Sequence, residues 1–79
     1  MDAFVNITWN GQNGTVPTPV PYDSTNIDIL QWAAESVRAG EVPGIDAAEA
    51  DFTDFVVTRI DAKGDLPPKL IVAPKTPFG

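Results

Sequence analysis

The 79-residue sequence predicts an α+β domain, a mixed sheet of four or five strands packed on a single α-helix. Three observations predict it. Pro17, Pro19 and Pro21 stand at alternate positions of one short stretch and mark a sheet edge. Residues 27–37 carry one apolar stripe at helical spacing, closed by Gly40 and Pro43. Two well-separated segments, 3–9 and 69–73, have strand character, and the second is apolar on both faces through its middle.

Residues 3–9 alternate, with Ala3, Val5, Ile7 and Trp9 on one face and Phe4, Asn6 and Thr8 on the other. Asn10-Gly11-Gln12-Asn13-Gly14 follows, and its two Asn-Gly pairs supply the positive φ of a hairpin turn. The stretch from Thr15 to Tyr22 returns as the second strand. In an extended chain the N–H groups of i, i+2 and i+4 point to one lateral side, and proline has none. One flank of this strand is therefore closed to pairing, while Val16, Thr18, Val20 and Tyr22 keep their donors on the other.

Asp23, Ser24 or Thr25 can cap a helix, and Thr25 with Asp28 has the spacing of a capping box. Ile27, Leu30, Ala33, Ala34 and Val37 then form its apolar stripe, and Gly40 takes the left-handed closing position. Trp9 shares the inward face of the first strand, whereas Trp32 falls off the main helix stripe, at its border or in a contact patch. Residues 41–54 connect, with a single helical turn expected at Asp46–Glu49, capped by Asp46 and answered by Glu49. The β-branched run Phe55–Ile60 reads as a third strand, though Phe52, Phe55, Val56 and Ile60 also match a helical stripe, and both readings stay open here. Residues 61–65 are turn chemistry, Pro67-Pro68 enforce extension, and Lys69–Ala73 forms the last, central strand. The domain spans residues 1–73 and residues 74–79 form an extended tail.

Composition narrows the function. With no histidine and no cysteine the chain has neither a Ser-His pair nor a thiolate nucleophile, and it is read as non-enzymatic and without a cofactor. Glu49, Asp51 and Asp54 are close enough in sequence to suggest oxygen ligands, and Asp61–Asp65 has a faint likeness to a calcium loop, but it lacks the alternating ligands and the terminal glutamate. Both are read as solvated acidic surface, and no metal site is assigned. The net charge of −6 is uneven: residues 23–54 hold eight acids and one base, residues 55–79 four bases and two acids. The balance argues against duplex nucleic acid as partner, since phosphate binding needs concentrated positive charge; no nucleic-acid partner is expected, and a protein with a basic surface is expected to meet the acidic segment. No opening basic-then-apolar stretch and no membrane-length apolar run is present, so a cytoplasmic protein, or one in a virion, is expected. Asn6-Ile7-Thr8 and Asn13-Gly14-Thr15 match the glycosylation acceptor pattern and, without an export signal, are read as chance.

The order of hairpin, one helix stopped by Val42-Pro43-Gly44-Ile45, then strands ending in the apolar Leu70-Ile71-Val72, resembles the ubiquitin-like β-grasp family. Ala3-Phe4-Val5 is similar to that family's opening strand. The resemblance implies that the first and last strands lie side by side and parallel in mid-sheet, with the second at the edge. It also implies an uncovered sheet face bearing Phe4, Arg59 and Ile71 beside Lys69, the family's commonest docking surface for other proteins. The tail adds Phe78 as an apolar anchor and Gly79 as a terminus. In ubiquitin-like modifiers and sulfur carriers such a terminal glycine is adenylated, but here the usual glycine pair is absent and Phe78 precedes Gly79. The leading expectation is an interaction module binding through Phe4, Arg59, Lys69, Ile71, Phe78 and Gly79. A modifier activated at Gly79 and a structural subunit of a viral or other particle are the alternatives.

Overall fold

The first strand and its hairpin set the frame. In the computed structural model, which describes residues 2–74, β1 (Asp2–Trp9) buries Ala3, Val5 and Ile7 completely, as its alternation requires. It turns back through Asn10 and Gly11 alone, at φ 54° and 75°, the pair of left-handed residues that matches strand twist in a two-residue hairpin. The turn is thus shorter than the five residues expected, and Asn13-Gly14 lies inside β2 (Gln12–Thr15), with Gly14 opposite Ile7. Gly14 is glycine for proximity: its Cα faces the backbone of Pro43, and no side chain fits between them.

The proline-marked edge has the expected single neighbour but is not one continuous strand. Val16 N–H donates to Val5 O at 2.9 Å, and pairing resumes only at β3 (Val20–Pro21), opposite Ala3 and Asp2. Phe4 alone spans what Pro17, Thr18 and Pro19 occupy on the other side, a bulge of two extra residues. Proline holds φ near −65°, far from the antiparallel value near −140°, so the run leaves the ladder where two prolines fall close together. An even insertion preserves side-chain phase, and Val16 stays buried with Val20 half-buried on the same face.

Helix α1 (Asn26–Arg38) begins where Thr25 Oγ1 accepts from the N–H of Asp28. It ends in a Schellman closure: Gly40 (φ 72°) donates to Val37 O and Glu41 to Ser36 O, both at 3.0 Å. Its buried face is Ile29, Ala33, Ser36 and Val37, which corrects the expected stripe. Leu30 and Ala34 are half-buried on its flank, and Ile27 is 70% exposed. Trp32 is half-buried at the border of the stripe, its indole N–H enclosed without an acceptor among the described residues.

Residues 41–54 form no helical turn at Asp46, because Asp46 is engaged elsewhere: its N–H donates to Gln12 Oε1 at 3.1 Å and its Oδ2 accepts from Gln12 Nε2 at 3.2 Å. This loop crosses one end of the sheet and buries Val42, Ile45 and Phe52. Phe52 meets Trp9 edge-on at 6.2 Å and Phe55 at 4.7 Å. Residues 55–60 form a strand, β4 (Phe55–Ile60), which settles the helical alternative. The last strand, β5 (Lys69–Pro74), extends one residue beyond the expected domain boundary, with Pro74 paired to Phe55.

Strand order is β2-β1-β5-β4, with β3 continuing the β2 edge beside β1. β1 and β5 are parallel at the centre, and the other pairings are antiparallel. Leu70 and Val72 are fully buried beneath the helix. One helix on one face of a mixed sheet, with first and last strands parallel in the middle, is a β-grasp-like arrangement. Among the described residues no helix is long and apolar enough to cross a membrane.

Candidate functional site

Strand register decides which residues share the sheet face that α1 does not cover. Leu70 and Val72 point to the helix, so Lys69, Ile71 and Ala73 point away. Their partners across the ladders join them: Phe4 and Ile60 flank Lys69, Asn6 and Thr58 flank Ile71, and Val56 lies opposite Ala73. The face is divided. Its β4–β5 half is apolar, with Val56 and Ile60 exposed at 43% and 44% beside half-buried Ile71 and Ala73.

Its β1–β2 half is an amide and hydroxyl network. Asn13 Nδ2 donates to Asn6 Oδ1 (2.9 Å) and Thr8 Oγ1 (2.8 Å). Asn6 Nδ2 donates to Asn13 Oδ1 (3.2 Å) and Thr15 Oγ1 (3.0 Å). These four side chains satisfy one another across the strand pair, which stiffens the hairpin. Both asparagines that head glycosylation patterns therefore have their amide nitrogens engaged within the sheet.

Phe4, Lys69 and Ile71 are brought together as expected, and Arg59 is not. Arg59 lies opposite Leu70, on the helix side. Its guanidinium donates to Tyr22 O (2.6 Å), Ser24 O (2.7 Å) and Asn26 Oδ1 (2.7 Å), tying β4 to the chain entering α1. The correction follows from parity: Phe55, Val57 and Arg59 share one face of β4, and Val56, Thr58 and Ile60 the other. Val56 and Ile60 were the residues missed: parity groups them with Thr58, but only the pairing of β4 with β5 places that group on the open face. Phe78 and Gly79 lie outside the described residues.

The face continues into a cleft of about 400 Å³ lined by Ile60, Asp61, Lys63, Leu66, Pro67, Pro68 and Lys69. Lys63 and Leu66 exchange both backbone hydrogen bonds, at 3.1 and 2.9 Å, around Gly64 (φ 59°). This tight turn holds Leu66 outward at 69% exposure between two lysines. Asp61 accepts from the Tyr22 hydroxyl at 2.6 Å, and that hydrogen bond, with a smaller contribution from desolvation, raises the phenol above its ordinary pKa of 10.0. Elsewhere Thr53 donates its N–H and hydroxyl to Asp51 Oδ1 and lowers that carboxyl from 3.8. Among the described residues no three acidic side chains converge as cation ligands, so Glu49, Asp51 and Asp54 do not form a cluster.

What this surface offers is apolar contact, lysine charge and fixed amides. A scan against protein-family models finds no match for the chain, and searches of curated proteins and of solved structures find no matching protein.

Proposed function

We propose that the protein is a non-enzymatic interaction module of ubiquitin-like form that docks another protein on its open sheet face. One observation carries the reading: Val56, Ile60, Ile71 and Phe4 share the face away from the helix as an apolar stripe, with Lys69 between Phe4 and Ile60 at one end. An apolar centre with a charged border is the anatomy of a protein-recognition patch. The cleft at Leu66 extends the patch and contributes Lys63 as a second cation.

A photo-crosslinking residue at Thr58, exposed in the middle of the stripe, tests the reading in the organism's own extract. The expected result is one crosslinked protein that is lost when Ile60 is changed to Asp and retained when Glu41 is changed to Gln. Crosslinking that persists in the Ile60→Asp variant would remove the stripe from the interface. A covalent adduct formed through Gly79 with ATP and an activating enzyme would instead establish the modifier reading.

A further inference from the structure

Apolar surface also gathers on the helix side of the molecule. Ile27, Leu30 and Ala34 of α1 face Ala50 and Phe52 across a groove of about 330 Å³, with Gln31, Asp51 and Thr53 at its margins. Ile27, at 70% exposure, contributes nothing to the buried core. Phe52 floors the groove and packs against Trp9 and Phe55. Asp51 Oδ1 is occupied by Thr53, while its Oδ2 receives no hydrogen bond among the described residues. Both walls come from residues 23–54, the segment with eight acids and one base. That base, Arg38, lies one turn beyond Ala34 and does not line the groove.

We propose that this groove docks a basic amphipathic segment of another protein, its apolar side chains seated between Ile27, Leu30 and Phe52 and a lysine or arginine paired with Asp51 Oδ2. Charge chooses the partner. A cation on the segment forms a charge-assisted hydrogen bond with Asp51 Oδ2, and the net negative charge of residues 23–54 favours a basic segment over an acidic one. A small polar ligand fits less well, since such sites need several convergent polar groups and this one offers a single free carboxylate oxygen. The surface is separate from the open sheet face, so either can fail without the other.

The test uses the full chain and a helical peptide of leucine and lysine with one apolar face, followed by amide chemical shifts. The expected shifts fall on Leu30, Ala34, Ala50 and Thr53. Ile27→Ser and Asp51→Asn should each weaken binding, the first by about tenfold, while Glu41→Gln, outside the groove, should not. Replacing the peptide's lysines with glutamate should abolish the shifts. The proposal is overturned if no binding occurs, if the shifts map to Thr58 and Ile71, if Ile27→Ser binds as the parent does, or if the groove is found filled by a second copy of the chain in sedimentation.

Discussion

A Cβ placed on Gly14 would lie 2.1 Å from the carbonyl oxygen of Pro43 and 2.9 Å from a methyl carbon of Val42. The relationship is reciprocal, because a Cβ placed on Gly44 (φ 93°) would lie 2.5 Å from Asn13 O. Two backbones are pressed together here, fastening the 41–54 loop to the hairpin. Gly14→Ala is expected to destabilise the fold by about 1–3 kcal/mol through overpacking. Gly11→Ala, with nothing near it, should show only the cost of a left-handed alanine, about 1–2 kcal/mol. Urea denaturation of both variants distinguishes them by the response of the Trp9–Phe52 contact, which only the Gly14 change should disturb.

Within α1, neighbouring residues should differ sharply. Ile29 is fully buried, and Ile29→Ala is expected to cost about 2–5 kcal/mol. Ile27→Ala should stay within about 0.5 kcal/mol, with Leu30→Ala between them. Equal losses at Ile27 and Ile29 in chemical denaturation would mean that the helix is rotated from the position described.

Arg59 fastens the fold from the helix side and lies off the apolar stripe of the open face. Arg59→Met keeps much of the aliphatic stem but removes three hydrogen bonds, and a loss of about 1–3 kcal/mol is expected. Hydrogen exchange should accelerate at the first turn of α1, whereas a crosslink from Thr58 should persist. A lost crosslink in a variant that remains folded would return Arg59 to the interface.

The prolines protect a broken edge. Changing Pro17, Pro19 and Pro21 together to threonine restores outward N–H groups and relaxes the bulge, and the variant is expected to remain folded but associate edge to edge. Sedimentation velocity over a concentration series measures this. Monomeric behaviour throughout would show that the bulge, rather than the missing donors, is what discourages pairing.

Two groups link stability to pH in opposite senses. The Tyr22 phenol is raised above 10.0 by donating to Asp61, so its contribution is present below pH 10 and is lost as pH climbs through the folded-state value. Asp51 is lowered from 3.8 by Thr53, so its contribution is present above that value and is lost as pH falls through the lower folded-state one. Tyr22 is the chain's one tyrosine, and an absorbance titration reads it directly. Asp61→Asn should bring its midpoint back toward 10.0, and an unmoved midpoint would contradict the hydrogen bond.

Local chemistry alone specified much of this molecule. The alternation of residues 3–9, the Thr25 cap, the Gly40 closure and the apolar centre of the last strand each depend on neighbours a few residues away, and each is found as expected; the hairpin turn is found at the first of its two Asn-Gly pairs. The open face likewise received Phe4, Lys69 and Ile71. Tertiary packing decided the rest. In α1, apolar residues at 27, 29, 30, 33, 34 and 37 span an arc wider than the sheet can cover, so only docking could select Ile29 and leave Ile27 in water. In β4, both faces carry apolar side chains, and period-two spacing separates the faces without saying which meets the helix. Pairing of Val57 with Val72 and Arg59 with Leu70 made that choice. The Asp46 turn was lost to Gln12, a residue distant in sequence. Where a segment's own pattern admits two burials of similar worth, the one realised is set by contacts that exist only once the chain has folded.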